Sequence, residues 1–250
     1  MSTYDFSGQT ALVTGSTSGI GREVALQLGA SGAHVIVSGR DSQRGEAVVE
    51  TIRAAGGTAD FAVADLADPA SVSHLAAEAT RLGDGHVDVL VNNAGVFPFG
   101  PTADVDDATF DAVMATNVRA PFRLVALLAP AMASRGAGAV VNVTTMVASF
   151  GASGMGLYGS SKAALQLLTK SWAAEFGPSG VRVNAVSPGP TRTEGTEVMG
   201  DGLDQLAATT PAGRVGLASE VADGVVFLAS SAARHVHGAV LPVDGGRLAV

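Results

Sequence analysis

The stretch TALVTGSTSGIG, residues 10–21, decides the fold of this chain. It begins as a short apolar run typical of a buried strand, and the Ala- and Leu-containing residues after it predict a helix over 19–31. Glycines at positions 15, 19 and 21 let the backbone turn tightly and approach a pyrophosphate, whose charge then lies at the helix N-terminus. The spacing G-x-x-x-G-x-G differs from the common G-x-G-x-x-G pattern but supplies the same parts in the same context. We therefore predict a dinucleotide-binding turn.

Beyond this turn, short β-branched runs alternate with longer amphipathic or Ala-rich segments. Near-continuous apolar strands separated by helices indicate a parallel sheet covered on both faces. We expect one α/β domain over residues 1–250, a Rossmann-like doubly wound sheet of about seven parallel strands flanked by helices. Strands are predicted at about 10–14, 33–37, 58–63, 87–91, 138–143, 180–186 and 238–243, and helices at about 19–31, 41–55, 69–82, 106–133, 157–177, 196–208 and 218–231. The stretch 188–217, rich in Gly, Thr and Pro, is expected to form a substrate-side loop or lid.

Composition excludes several classes of protein. The chain has no Cys, which removes disulfides, thiolate metal sites and cysteine nucleophiles, and its five His show no metal-ligand spacing, so no metal site is expected. A net charge of −8 argues against nucleic-acid binding. The longest apolar run, Leu124 to Ala133, is well short of the ~20 residues of a membrane span, and no secretory signal is visible. We expect a cytoplasmic protein with neither nucleic-acid nor membrane partners.

The end of the second predicted strand indicates which dinucleotide is bound. An acidic residue about 20 positions after the glycine turn grips the ribose 2′-hydroxyl of NAD. Gly39 stands where that carboxylate is expected, and Arg40 follows it. Because a guanidinium can pair with a 2′-phosphate, this favours NADP(H) over NAD(H). The alternative is that Arg40 is a solvated cation paired with Asp41.

Three further motifs point to a family: Asn92-Asn93-Ala94-Gly95 after the fourth strand, Tyr158-Gly159-Ser160-Ser161-Lys162 opening a helix, and Ser187-Pro188-Gly189 after the sixth strand. With the glycine turn, they make residues 8–246 resemble the short-chain dehydrogenase/reductase family in its NADP-preferring form. The resemblance, together with the turn and Arg40, implies that NADP, with NADPH preferred over NADH, is bound by Gly15, Ser16, Thr17, Ser18, Gly19, Ile20, Gly21, Arg40, Asp65, Leu66, Asn93, Ala94, Gly95, Tyr158, Lys162, Pro188, Gly189, Thr191 and Thr193.

Tyr158 and Lys162 are the candidate proton-transfer pair. At positions i and i+4 of a helix they lie on one face, one turn apart. A phenol with a pKa near ~10 is a poor acid or base at neutral pH. We expect the Lys162 ammonium to lower the pKa of Tyr158, which would then donate the proton in reduction and accept it in oxidation. The resemblance also implies that Lys162 binds the nicotinamide ribose.

Two further positions complete the catalytic set that the resemblance implies. The family has a Ser thirteen residues before the Tyr, and here that position is Thr145. A Thr hydroxyl can still donate to a substrate carbonyl, but its methyl group takes space in the pocket. Asn117 matches the fourth family position, and Pro121, which has no N–H, leaves the Asn117 carbonyl without its normal helical donor. We hypothesise that this carbonyl holds a water linking Lys162 to solvent.

The sequence thus predicts an NADP(H)-dependent oxidoreductase that interconverts a ketone or aldehyde and an alcohol, with Tyr158 as general acid/base. The substrate is expected to be small and uncharged, because the residues expected around the pocket are mostly apolar: Phe97, Phe99, Met146, Ser149, Gly151, Met155 and the 194–210 loop. Two alternatives remain: a 3-oxoacyl thioester reductase of the same family, and a non-catalytic NADP(H)-binding sensor, which the Thr145 departure favours. The resemblance and the Ala- and Leu-rich helices at 106–133 and 157–177 imply a homotetramer or homodimer.

Overall fold

A computed structural model describes residues 4–250, so the part of the domain prediction that concerns residues 1–3 lies outside it. A seven-stranded parallel sheet has the strand order β3-β2-β1-β4-β5-β6-β9. Its strands are β1 (Thr10–Thr14), β2 (His34–Gly39), β3 (Thr58–Val63), β4 (Val89–Asn92), β5 (Gly138–Val143), β6 (Val181–Pro188) and β9 (Val240–Val243). Two short strands, β7 (Thr191–Arg192) and β8 (Gly216–Leu217), pair separately.

Helices cover both faces of the sheet. They are α1 (Gly19–Ala30), α2 (Ser42–Ala54), α3 (Pro69–Leu82), α4 (Asp107–Met114), α5 (Ala120–Arg135), α6 (Gly156–Phe176), α7 (Asp201–Ala207) and α8 (Ala218–Ala229). On β1, Ala11 and Val13 face a core built with α1, α2 and α8, whereas Leu12 faces a second core built with α3, α5 and α6. Successive side chains of a strand point to opposite faces, so a strand between two helical layers must be apolar throughout. The doubly wound, Rossmann-like α/β fold is confirmed.

The predicted helix 106–133 is interrupted. It consists of α4, a π-helical turn over Ala115–Arg119, and α5. The N–H of Ala120 bonds to the carbonyl of Ala115, five residues back, and the next residue, Pro121, has no N–H to offer. A single π turn inside an α-helix is frequent at functional sites, and Asn117 lies within this one.

One helical stretch of the described residues, the 29-residue Asp107–Arg135, could cross a membrane by length and composition alone. Half of its apolar window is buried inside the domain. Leu124, Leu128 and Met132 from this stretch pack into the core shared with α3 and α6. Core helices pass the same test, and this stretch fits that description.

The segment 188–217 has more structure than the sequence indicates. It contains β7, a 3₁₀ segment over Glu194–Met199, α7 and β8. The predicted helix 196–208 is wrong in its first turn, because Gly200 adopts φ 48° and ψ −132°, a conformation that separates the 3₁₀ segment from α7.

Candidate active site

The glycine-rich turn connects the end of β1 to the start of α1. Gly15 and Gly19 have φ of 62° and 54°, which favours glycine. A side chain on Gly15 would place its Cβ 2.8 Å from the Cα of Ala94. Ser16 is fully buried, and its hydroxyl donates to the carbonyl of Val13 (2.6 Å) while accepting the N–H of Ser38 (2.9 Å). The turn is therefore packed against β2 and the end of β4.

Asn93 fixes the position of this turn. Its side-chain amide donates to the carbonyls of Thr14 (2.9 Å) and Gly15 (3.0 Å). The hydroxyl of Thr14 in turn accepts the N–H of Asn93 (3.1 Å) and of Ala94 (3.2 Å). These bonds lie where the chain order of the sheet reverses between β1 and β4. Ligands of open α/β sheets bind in the crevice at such a switch point.

The N-terminus of α1 receives a carboxylate from a distant part of the chain. Ser18, at the N-cap, makes no side-chain capping bond. The N–H of Gly19 instead donates to Oε2 of Glu194 (2.9 Å), and Nη1 of Arg22 lies 3.2 Å from Oε1. Hydrogen bonds from the N–H groups of Glu194 itself and of Gly19, with the positive charges of Arg22 and Arg44, hold the pKa of Glu194 below its usual value.

Arg40 and Gly39 lie beside the turn, at the end of β2. Arg40 is exposed, and among residues 4–250 its guanidinium makes no ion pair. The alternative pairing with Asp41 is wrong, because that carboxylate caps α2 by accepting the N–H of Arg44 (3.0 Å) and pairs with the same arginine's side chain (3.5 Å). A Cβ on Gly39 would lie 2.6 Å from the methyl of Thr17, so Thr17 fills the space that an acidic side chain would need.

Tyr158, Thr145 and Lys162 come together at the end of β5. The side chain of Thr145 lies close enough to the Tyr158 hydroxyl to favour its ionisation by hydrogen bonding, and the ring of Phe97 packs edge-on against the Tyr158 ring, with centroids 6.1 Å apart. Lys162 is 3% exposed, and its Nζ donates to the carbonyl of Val143 (2.9 Å). The i, i+4 spacing on α6 therefore brings both groups to the same strand end.

The protonation preferences of this pair differ from the sequence expectation. Burial raises the pKa of Tyr158, and the hydrogen bond with Thr145 opposes this only in part. The expected lowering of the Tyr158 pKa by Lys162 is wrong for this structure, in which Nζ of Lys162 donates to the Val143 carbonyl. Burial lowers the pKa of Lys162 itself from 10.5 to about 8, because the charged form loses hydration.

Asn117 supports the site without touching the tyrosine hydroxyl. Its side chain is fully buried, donates to the carbonyl of Val96 (2.9 Å) and to the hydroxyl of Ser161 (3.0 Å), and accepts the N–H of Val96 (2.9 Å). A Cβ on Gly95 would lie 3.1 Å from Nζ of Lys162 and 3.3 Å from Oδ1 of Asn117. Gly95 therefore lets the ends of β4 and α6 approach around the π turn.

The remaining predicted residues lie at the same edge of the sheet. Asp65 and Leu66 follow β3, and the carboxylate of Asp65 accepts the N–H of Ala67 (3.0 Å). Pro188 ends β6, and the hydroxyl of Thr191 donates to the carbonyl of Gly189 (3.0 Å). A Cβ on Gly19 would lie 3.3 Å from the side chain of Thr193, so the segment after β6 reaches the glycine turn. The carboxyl ends of β1 to β6 thus bring the predicted residues to one edge of the sheet.

Sequence reasoning missed three contributors to this crevice: Ser161, Arg22 and Glu194. Ser161 lies inside the Tyr158–Lys162 motif, but the motif alone does not indicate that it pairs with Asn117. Glu194 lies 175 residues from Gly19, and no local pattern signals a contact at that separation. The arrangement as a whole defines a doubly wound α/β protein with a half-buried Tyr158 and a buried Lys162 at the carboxyl ends of its strands.

Comparisons with known proteins identify the family. A family model described as enoyl-(acyl carrier protein) reductase matches residues 15–247. The 3-oxoacyl-acyl-carrier-protein reductase of Staphylococcus epidermidis is 37% identical over 241 residues, which are 95% of this chain and 98% of that protein. The chain belongs to the short-chain dehydrogenase/reductase family of oxidoreductases.

Two solved structures have closely similar folds. The gluconate 5-dehydrogenase of Burkholderia cenocepacia, in complex with NADP and tartrate, is 31% identical with a TM-score of 0.93, covering 100% of this chain and 98% of that one. A 7α-hydroxysteroid dehydrogenase complexed with NADH and 7-oxo glycochenodeoxycholic acid is 34% identical with a TM-score of 0.93, covering 97% and 95%. These neighbours bind NADP and NADH respectively.

The buried lysine gives the stability a characteristic pH dependence. Its pKa is lowered on folding, so the folded protein binds fewer protons than the unfolded chain between the two pKa values, and stability rises with pH there. As the pH rises from 8 to 10.5, wild type should gain about 3 kcal/mol of unfolding free energy relative to Lys162→Met. Urea unfolding of both proteins across this range measures the difference. Lys170→Met, on the exposed side of α6, is the control and should follow wild type; parallel curves for wild type and Lys162→Met would contradict the effect.

Proposed function

We propose that this protein is an NADP(H)-dependent oxidoreductase that interconverts a ketone or aldehyde and an alcohol, with Tyr158 as the general acid/base. The observation that carries the proposal is the meeting of the Tyr158 hydroxyl and the Thr145 side chain at the end of β5, with buried Lys162 one helical turn from Tyr158. Two hydroxyl groups at one strand end can share the oxygen of a carbonyl compound: one orients it while the other exchanges a proton.

The crevice suits a nicotinamide dinucleotide. The N–H of Gly19, at the N-terminus of α1, already donates to an anionic group, the carboxylate of Glu194, so this N–H is accessible to an acceptor. The segments that would hold the cofactor are the glycine turn 15–21, Arg40, the strand ends at 65–66 and 93–95, the pair Tyr158 and Lys162, and the segment 188–193. When bound, the nicotinamide supplies or accepts the hydride.

This chain's own residues handle the proton and the orientation of the substrate. Tyr158 donates its proton to the carbonyl oxygen in reduction and withdraws it in oxidation, and Thr145 donates a hydrogen bond to the same oxygen. Burial keeps the phenol protonated at neutral pH, the form needed for reduction. Lys162, with a pKa of about 8, remains mostly cationic at neutral pH.

Reprotonation of Tyr158 needs a path to solvent. The Asn117 carbonyl lies in the π turn, and its usual helical donor would be the N–H that Pro121 lacks. We propose that this carbonyl holds a water that links Lys162 to solvent, while the Asn117 side chain keeps Val96 and Ser161 in place.

The substrate is expected to be a small, uncharged carbonyl compound. Phe97 lies against Tyr158, buried Met146 follows Thr145, and Phe99, 78% exposed, packs over the position of Gly154 at the crevice mouth. The segment 188–217 would then act as a lid on this side. The Staphylococcus epidermidis relative supports a 3-oxoacyl thioester as the second candidate. A non-catalytic NADP(H) sensor is the third, and a turnover assay separates it from both.

The proposal also includes the oligomeric state of the protein and its location in the cell. An open groove of about 670 Å³ on the outer side of α4 and α5 is lined by Met114, Val118 and Phe122 and contains none of the residues assigned to catalysis. Phe110 on α4 and Leu167 on α6 are also exposed apolar side chains. We propose that these helices form the contact between copies in a homodimer or homotetramer of a cytoplasmic enzyme.

Tyr158→Phe tests the mechanism. Removal of the hydroxyl should lower kcat by about 10²- to 10⁴-fold while leaving NADPH affinity within a few-fold, because general acid catalysis is lost and the ring is kept. The assay follows NADPH oxidation with a panel of ketones and aldehydes. Thr145→Ser should preserve or raise kcat, and Tyr4→Phe, remote from the crevice, should not change it. An undiminished rate for Tyr158→Phe would refute the mechanism; NADPH binding without turnover of any compound would support the sensor.

Arg40→Leu tests the cofactor preference. Loss of a charge-assisted contact with the 2′-phosphate should raise the Kd for NADPH by about 10-fold or more while the Kd for NADH stays unchanged. Calorimetric titration with each cofactor measures both constants. Arg234→Leu removes an equally exposed guanidinium from another part of the chain and should leave both unchanged. Equal effects of Arg40→Leu on the two cofactors would exclude Arg40 as the determinant.

A further inference from the structure

We propose that Glu194 competes with the cofactor for the N-terminus of α1, so that this residue sets part of the NADP(H) affinity and ties cofactor binding to movement of the segment that follows it. The contact is specific. Oε2 of Glu194 accepts the N–H of Gly19 at 2.9 Å, and Oε1 pairs with Arg22 at 3.2 Å, so both carboxylate oxygens are engaged at the first turn of α1.

The backbone N–H groups in the first turn of α1 have no other carboxylate partner among the described residues. It contains no acidic side chain, and Ser18 at its N-cap makes no side-chain capping bond. Helix N-termini favour negative charge, because the first N–H groups have no partner within the helix. Glu194 therefore caps α1 from a remote position, and in doing so it occupies the acceptor position for which the glycine turn is shaped.

A dinucleotide's pyrophosphate needs the same N–H groups, according to the cofactor site proposed above, on which this inference rests. A carboxylate and a phosphate cannot both accept one N–H, and two anions at this separation repel each other. Glu194 must therefore leave before the pyrophosphate is fully bound. The apparent affinity for the cofactor is then the intrinsic affinity multiplied by the fraction of molecules in which Glu194 has left the N-terminus of α1.

Displacement of Glu194 also acts on the substrate side of the crevice. Glu194 opens the 3₁₀ segment Glu194–Met199, and Thr193 before it packs against the position of Gly19. The capping contacts between Thr193 and Thr196 make this segment move as a unit, since the Thr193 N–H donates to the Thr196 hydroxyl at 2.9 Å. Release of the carboxylate thus frees the start of the proposed lid at the moment the cofactor binds.

The expected change in NADPH affinity depends on how exposed Glu194 and Arg22 are to solvent. The side chains of Glu194 and Arg22 are each 43% exposed, so solvent screens their attraction and the contact is modest. We expect Glu194→Gln, which keeps the shape but removes the charge, to lower the Kd for NADPH by about 3- to 10-fold. The gain should shrink as salt is raised, because the screening length falls.

Calorimetric titration of the full chain with NADPH, together with thermal unfolding without cofactor, tests this. Glu194→Gln should bind NADPH more tightly than wild type and should unfold at a lower temperature in the absence of cofactor, because the N-terminus of α1 loses its stabilising negative charge. Glu197→Gln removes the same charge from the same 3₁₀ segment, where the exposed side chain makes no ion pair among residues 4–250, and should match wild type in both measurements.

Each outcome decides a different point. An unchanged or higher Kd for Glu194→Gln, with normal NADPH binding by wild type, would overturn the competition alone. An equal gain for Glu197→Gln would overturn it as well, because the effect would then be one of net charge. Failure of wild type to bind NADPH or NADH would overturn the proposed function and this inference with it.

Discussion

The hydrogen bonds between Asn93 and the end of β1 are the constraint on which the site depends. The Asn93 amide holds the carbonyls of Thr14 and Gly15, and the Thr14 hydroxyl returns bonds to the N–H groups of Asn93 and Ala94. They bring the glycine turn and the end of β4 to one point, where the strand order reverses. This point lies between the two parts of the proposed dinucleotide site. One part is the start of α1, and the other is Gly95, which lies next to Lys162.

Burial of the Lys162 ammonium destabilises the folded protein. A buried ammonium loses hydration, and the one carbonyl it contacts offsets only part of this loss, as its lowered pKa indicates. A methionine of similar length would fill the same space without that cost. Retention of a destabilising charge beside a phenol is typical of residues kept for chemistry, since perturbed groups cluster at functional sites.

The sequence predicts those strands and helices whose positions depend on the local pattern of apolar residues. The strands 10–14, 58–63 and 138–143 match β1, β3 and β5, because apolar runs between turn residues are a nearest-neighbour signal. The same signal cannot detect a π turn, so the predicted helix 106–133 missed the interruption at Ala115–Arg119. It also missed the break at Gly200, where a backbone conformation rather than periodicity ends the segment.

In the candidate site, too, some features could be predicted from the sequence and others could not. Motif spacing placed Tyr158 and Lys162 on one helical face, and sheet topology brings them to Thr145 at the end of β5. The direction of the Tyr158 pKa could not be predicted, because it depends on how deeply the phenol is buried and on which group Lys162 contacts. The contact between Glu194 and the start of α1 could not be predicted either, because Glu194 and Gly19 are 175 residues apart and no local motif marks Glu194.

The central claim is that one crevice holds NADP(H) with its reactive ring beside Tyr158. A crystal structure of the protein grown with NADP tests it most directly. We expect pyrophosphate oxygens on the N–H groups at the start of α1, the 2′-phosphate at Arg40, and Lys162 Nζ in contact with the nicotinamide ribose. A nucleotide bound elsewhere, or one whose nicotinamide end lies away from Tyr158 and Lys162, would contradict it.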